Sequence, residues 1–393
     1  MTATEPILAG IADLAPEFVE IRRRIHAHPE LAFEETGTSE LVAGLLAQWG
    51  YEVHRGIGRT GLVGVLRAGD GRRTLGLRAD MDALPIHEAT GLPYASRRAG
   101  QMHACGHDGH TAMLLCAARH LAATRRFSGT LNLIFQPAEE NFGGGKAMMD
   151  DGLFERFPCD AIFALHNMPG RAAGEMAFRS GPAMASCDRV TIRLKGVGGH
   201  GAMPHMARDP MSAAGSLMLA LQTVVAREID AQQAAVITVG SVQAGETFNI
   251  IPETVVMKLS VRALDAAVRA QLETRIGELV RGHAAAYGLG VEIDYDRGYP
   301  VLVNHEAPTE FAASIARAML GEARVEMDAA PLMGSEDFAY MLEQRPGCYA
   351  LLGNGTGSHG GCMVHNPGYD FNDAILPIGA SYWVRVAEGW LVD

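Results

Sequence analysis

From Arg73 to about Leu165, short apolar runs alternate with helical stretches, the grammar of a parallel α/β architecture. Thr74-Leu75-Gly76-Leu77-Arg78, Thr130 to Phe135 and Ala161 to Leu165 read as three buried strands, each followed at once by polar residues capable of chemistry. Between the first two the pattern predicts a helix from Thr111 to Ala123, entered through Gly106 to His110. A different grammar begins near Cys187. Arg189 to Leu194 alternates, and Asp209-Pro210 opens a helix as a capping residue followed by proline at its first position. Strands Ala235 to Val242 and Thr254 to Arg262, a helix from about Ala266 to Tyr287 and a strand Val291 to Tyr295 complete a β-α-β-β-α-β, ferredoxin-like unit. After Tyr299-Pro300 the α/β pattern resumes with a helix Thr309 to Leu320, a strand Cys348 to Leu352 and a terminal helix from about Asp373. The expected fold class is therefore α/β: a mixed-sheet domain formed by 1–186 and 298–393, interrupted by the ferredoxin-like insertion 187–297.

Composition narrows the function classes. The 393 residues exceed one ordinary domain, and 48% hydrophobic with 20% charged residues describes a globular chain with a core. A net charge of −12 repels phosphate backbones and anionic membrane surfaces, so neither nucleic acid nor membrane is expected as a partner. Met1-Thr2-Ala3-Thr4-Glu5-Pro6 carries no basic region followed by an apolar stretch, and no later run spans a bilayer, which reads as a cytoplasmic protein. Six cysteines scattered over a long chain read as free thiols.

The densest chemistry is His103-Ala104-Cys105-Gly106-His107-Asp108-Gly109-His110, three imidazoles, a thiol and a carboxylate beside a helix start; these are common ligands of zinc-like metals. Taken alone, the cluster also fits a polar capping loop with a buried cysteine. Gln136-Pro137-Ala138-Glu139-Glu140 sends adjacent carboxylates out of a strand, and a cation resolves their repulsion: one can ligate while the other takes a proton from water. A solvated acidic turn is the plainer alternative. His166 follows an apolar strand, where a lone histidine is more often a hydrogen-bonded core residue. Asp80, Asp82, Glu139, Glu140 and His166 all fall at carboxyl ends of expected strands, where open α/β sheets bind ligands. His365, in Met363-Val364-His365-Asn366-Pro367-Gly368, returns to the same sheet. Cys105, His107, Glu140, His166 and His365 are too many donors for one four-coordinate site with an open position, so two metals fit better.

Gly76 to Pro85, His103 to His110, Gln136 to Glu140, Gly199 to His205 and Gly334-Ser335-Glu336-Asp337-Phe338 together resemble the M20 metallopeptidase family. The likeness is to its amidohydrolase branch, which includes hippurate hydrolases, auxin-conjugate hydrolases and N-acyl-amino-acid deacylases. Arg22 to Glu35 resembles that branch's opening segment, so the match runs over nearly the whole chain. The resemblance implies a metallohydrolase with metal ligation by Cys105, His107, Glu140, His166 and His365, and Glu139 as general base. The metals would be two divalent ions per subunit: zinc, manganese, cobalt or nickel. Many relatives carry His-x-Asp where this chain has Asp80-Met81-Asp82; Asp82 is expected to orient a ligand and Asp80 to be a reserve ligand. The inserted domain is expected to serve as a dimerisation and lid domain, with His200 reaching a partner subunit's site in a homodimer and stabilising the oxyanion. By the same likeness, Asn249 and Arg262 hold the substrate carboxylate, Arg262 through its bidentate fork.

The expected substrate is a small N-acyl amino acid, with a dipeptidase, a carboxypeptidase or an N-acetyl-diaminopimelate deacetylase as alternatives of the same metal chemistry. A metal-free thiol amidase built on Cys105 and His107 would leave Glu139, Glu140, His166 and His365 without a task. A non-enzymatic metal-binding scaffold has no use for the base Glu139. Gly196-Val197-Gly198-Gly199-His200-Gly201 matches a dinucleotide fingerprint, but Pro204 interrupts the helix that should follow. Gly143-Gly144-Gly145-Lys146 reads as a flexible turn.

Overall fold

The computed structural model describes residues 5–358 and 360–392; the opening Met1 to Thr4 lies outside them. The described residues form two compact units, one lying within 1–181, 303–330 and 337–393, the other from 182–302 and 331–336.

The first unit is built on an eight-stranded mixed sheet. In spatial order its strands are Glu52–Ile57, Gly61–Ala68, Gly129–Gln136, Thr74–Asp80, Ala161–Pro169, Gly347–Gly355, Met176–Ala177 and Val325–Glu326. Four central neighbours, from Gly129–Gln136 to Gly347–Gly355, run parallel, and their nearly unbroken apolar sequences are what burial on both faces demands. Glu52–Ile57 and Gly61–Ala68 add an antiparallel edge. The helix His107–Thr124 is buried continuously from His107 to Cys116 and on through Ala118, so it has no solvent face for most of its length. Helices Ala9–His26 and Leu376–Trp390 cover it. That helix begins four residues earlier than the apolar pattern indicated, because Gly106 takes a left-handed φ of 93° and starts it directly at His107. A side chain at Gly106 would collide with the Asn167 amide and the Tyr369 hydroxyl, so glycine is required there.

A buried ion network ties the unit's ends together. Arg22, fully buried, donates Nε to Asp373 (2.8 Å) and approaches Asp108 (3.3 Å) and Asp370 (3.1 Å) through Nη1. It joins the first helix, the first turn of His107–Thr124 and the chain just beyond His365. Breaking a buried pair of this kind from one side costs about 3–5 kcal/mol. Asp108 also meets His26 Nδ1 at 2.8 Å. Burial opposes charge on His26, but Asp108 and Glu88 outweigh it and raise the imidazole to about 9.

The second unit holds a four-stranded antiparallel sheet in the order Ala235–Gln243, Thr254–Ala263, Asp188–Lys195, Gly290–Arg297. Helices Pro210–Glu228 and Ala266–Ala286 pack on it. Val190, Ile192 and Leu194 alternate inward along Asp188–Lys195, as a sheet covered on one face requires. Asp209 caps its helix by accepting from the Met211 amide at 2.8 Å, with Pro210 at the first helical position.

Two readings change. The strand Ala161–Pro169 runs through His166 and Asn167 instead of ending at Leu165, because it pairs with Gly347–Gly355 along that whole length. Gly143 to Lys146 is not a flexible turn: Gly144–Asp150 is helical, and Gly144 packs so closely on the Pro137 carbonyl that a side chain there would overlap it.

Candidate metal centre

The parallel register sets the site. Asp80 pairs with Gln136, and Arg78 with Ala164, so His166, two residues further on, falls level with Asp80 on the same face of its strand. Residues from three strand ends and from the first turn of a helix therefore meet at the carboxyl edge of the sheet.

The expected ligands and Glu139 fall into three overlapping groups whose ligand atoms lie within 4.8 Å of one another: Cys105, His107 and His166; Cys105, Glu140 and His365; His107, Glu139 and Glu140. Cys105 Sγ lies 3.3 Å from His166 Nε2, and His365 Nε2 lies 3.0 Å from Glu140 Oε1. All but His365 are buried or nearly so; His365 is about half exposed, at 51%. Its backbone holds a left-handed φ of 64° and its amide donates to the Ala104 carbonyl at 2.7 Å. A side-chain-bearing residue persists in that conformation only where the surroundings over-determine it.

The ring orientations are fixed from behind. His107 Nδ1 faces the Asp82 carbonyl at 2.9 Å and its carboxylate at 3.2 Å, and His166 Nδ1 faces the Asn167 carbonyl at 2.6 Å. A ring nitrogen facing a carbonyl carries the proton, so Nε2 is the nitrogen of each ring left to face a cation. Without one, burial opposes charge on His107, but Asp80 and Cys105 outweigh it and raise the imidazole well above the usual histidine range. Asp82 also accepts the backbone amides of Glu139 (3.1 Å) and Glu140 (3.0 Å). One carboxylate thus organises the acidic pair and a histidine at once.

The donor set fits a cation. Among the described residues, His107 Nε2 is buried without a hydrogen-bond partner, a loss of about 1–3 kcal/mol. Burial and Glu140 push the Cys105 thiol up, and burial with His110 holds His166 well below the usual histidine range. A neutral imidazole is the ligating form, and positive charge at the centre would favour the thiolate. Mixed sulfur, nitrogen and oxygen donors suit zinc-like transition metals.

Asp80 sits beside the cluster, its ligand atom within 4.8 Å of those of His107 and His110. It meets His110 Nδ1 at 2.6 Å and Arg78 Nη1 at 2.7 Å, and His110 Nε2 in turn accepts the Asn167 amide at 3.0 Å. Burial opposes charge on Asp80, but His107, Arg78 and His110 outweigh it and hold the carboxyl well below the ordinary range. Its two oxygens each carry one of these contacts, which brace the strand against the helix.

His110, one of the three imidazoles of the sequence cluster, turns out to brace Asp80, and Asn167 is the residue at the cluster to which sequence reasoning gave no part. Asn167 donates its amide group to the Cys105 carbonyl at 2.6 Å and accepts the Tyr369 hydroxyl at 2.7 Å. The available signal was position: His110 stands one turn after Gly106 in the ligand motif, and Asn167 follows His166.

His200, Asn249 and Arg262 belong to the second unit. His200 is exposed in a two-residue strand Gly199–His200 paired with Ile250–Ile251, and Gly201 donates to the Asn249 carbonyl at 2.8 Å, so His200 and Asn249 are neighbours. Arg262 stands apart, half-buried on Thr254–Ala263, donating to the Met333 carbonyl and the Ser335 hydroxyl, each at 3.3 Å.

Among curated proteins, the chain is 45% identical to hippurate hydrolase of Campylobacter jejuni over 98% of its own length and 99% of that protein's. It is 38% identical to N-acetyl-L-cysteine deacetylase of Bacillus subtilis, over 98% and 90% respectively. A solved Bacillus subtilis structure, described as a dinuclear metal binding peptidase from the M20 family, superposes with a TM-score of 0.83 at 30% identity, covering 97% of this chain and 99% of that one. Residues 76–389 match peptidase family M20/M25/M40, and with the mixed sheet and the ligand cluster at its carboxyl edge the chain belongs to that family.

Proposed function

We propose that the protein is a dinuclear metal-dependent amidohydrolase that cleaves N-acyl amino acids to a carboxylic acid and a free amino acid. One observation carries the reading: Cys105, His107, Glu140, His166 and His365, remote in sequence, crowd their donor atoms together beside the carboxylate of Glu139. The named activities of the similar proteins, on hippurate and on N-acetyl-L-cysteine, are both hydrolyses of an amide on an amino acid.

In this reading Cys105, His107, Glu140, His166 and His365 would hold the cations. When bound, divalent ions such as zinc, manganese, cobalt or nickel supply Lewis acidity that lowers the pKa of water and polarises a carbonyl. Glu139, buried and held by its backbone, takes the proton of the attacking water and returns it to the departing amine nitrogen. Asp82 keeps Glu139, Glu140 and His107 in register during that transfer. Asn249 and Arg262 receive the substrate carboxylate, Arg262 through its guanidinium fork.

The second unit serves as the dimerisation and lid domain, and His200 stabilises the oxyanion in the site of a second copy. The exposure of Phe248 (100%), Met206 (70%) and Ile250 (58%) around His200 supports association through that surface. No helix among the described residues is long and apolar enough to cross a membrane, in keeping with a cytoplasmic location.

The test is an assay of metal-reconstituted protein on N-acetyl, N-benzoyl and N-indolylacetyl amino acids beside plain dipeptides. The proposal expects release of free amino acid from at least one acylated series in preference to dipeptides. Turnover confined to dipeptides would assign the chain to peptide cleavage instead.

A further inference from the structure

Glu35 has no part in the chemistry described so far, yet its carboxyl reaches the residue that precedes the base. It is fully buried at the start of the helix Thr36–Gln48, but makes no cap hydrogen bond to that helix. Its Oε1 accepts two backbone amides, Phe33 at 3.0 Å and Ala138 at 2.8 Å, and its Oε2 takes the Thr60 hydroxyl. The last two partners come from distant parts of the chain.

Both amides belong to strained residues. Phe33 has φ 63° and Ala138 φ 51°, left-handed values that a side chain with a β-carbon disfavours. Ala138 is gripped from both sides, because its carbonyl accepts the Gly144 amide at 3.0 Å. The left-handed step at Ala138 turns the chain out of the strand Gly129–Gln136, so that the next two amides, of Glu139 and Glu140, point at Asp82. A relaxed Ala138 would carry both carboxylates to a different place.

We propose that Glu35 is a positioning residue for hydrolysis: by accepting the Ala138 amide it holds the left-handed turn that aims Glu139 and Glu140 into the cluster. This rests on Glu139 being the base. Reach, and not charge, is what the geometry asks of Glu35. Burial pushes the carboxyl up to about 7, and in its neutral form Oε1 still accepts both amides while the acid proton goes to Thr60. Glutamine reproduces that pattern, with the amide nitrogen donating to Thr60. Aspartate keeps the charge but is one methylene too short.

The experiment compares Glu35→Gln, Glu35→Asp and Glu35→Ala in the metal-reconstituted full chain. It reads kcat, KM, bound metal and hydrogen exchange of the Ala138 amide. The expected result is a fall in kcat of about tenfold or more for Glu35→Asp and Glu35→Ala, at little change in KM and metal content, with faster exchange at Ala138. Glu35→Gln should recover most of both losses. Should Glu35→Ala fail to fold, the aspartate and glutamine pair carries the comparison. Wild-type turnover or wild-type exchange at Ala138 in Glu35→Asp overturns the proposal. So does a loss of metal and of folded protein in all three variants alike, which marks a merely structural residue. If the wild type hydrolyses no N-acyl amino acid, the functional reading fails by itself, and Ala138 exchange in aspartate against glutamine still decides the anchor.

Discussion

Replacing Glu139 by glutamine is expected to lower turnover at least ~100-fold while leaving bound metal in place, the lower end of what a positioned general base contributes. Glutamine matches the side chain in size and keeps the backbone amide that Asp82 accepts at 3.1 Å, so the loop should hold its course. What disappears is the lone pair that receives a proton from water and the acid that delivers it to the amine. Saturating-substrate kinetics beside metal analysis separate the two effects. Unchanged turnover would remove Glu139 from the mechanism; lost metal would make it a ligand.

Asp82→Ala should fail differently, by lowering metal affinity about 10–100-fold, as removal of a group that orients ligands does. Its carboxylate accepts the Glu139 and Glu140 amides at 3.1 and 3.0 Å and approaches His107 Nδ1 at 3.2 Å. Without it the acidic pair loses both anchors, and His107 keeps only the Asp82 carbonyl, at 2.9 Å. Competition against chelators of graded affinity measures the loss, and excess metal should restore only part of the turnover, because Glu139 is displaced as well. A variant that binds metal and turns over like the wild type would show that Asp82 organises neither.

The contrast between these residues bears on what the chain reveals before it folds. The central strands were readable because burial on both faces forces apolar runs, as in Thr130 to Phe135, and the second sheet because a covered face forces alternation, as in Val190, Ile192 and Leu194. Helix Ala9–His26, interrupted in sequence by Pro16, went unread although Ile11, Phe18 and Ile25 are buried along it, and the half-exposed edge strand Glu52–Ile57 carries neither strand signal. Donor types and spacing pointed to Cys105, His107 and Glu140. The structure adds what spacing cannot carry, namely contacts between residues far apart in the chain: Asp80 with His110, Asn167 with Tyr369, Glu35 with Ala138. His166 was placed past its strand because polar residues look like strand ends, whereas pairing with Leu351 keeps it inside. Gly143 to Lys146 looked flexible because glycine runs usually are; here close packing on Pro137 is the reason for the glycine at 144.

The most direct measurement is elemental analysis of the purified, active protein, followed by chelation and metal return. The account predicts two divalent ions per chain, loss of turnover as they are removed and recovery when they are restored. A folded preparation that hydrolyses N-acyl amino acids with no bound cation, and is indifferent to chelator, would contradict it.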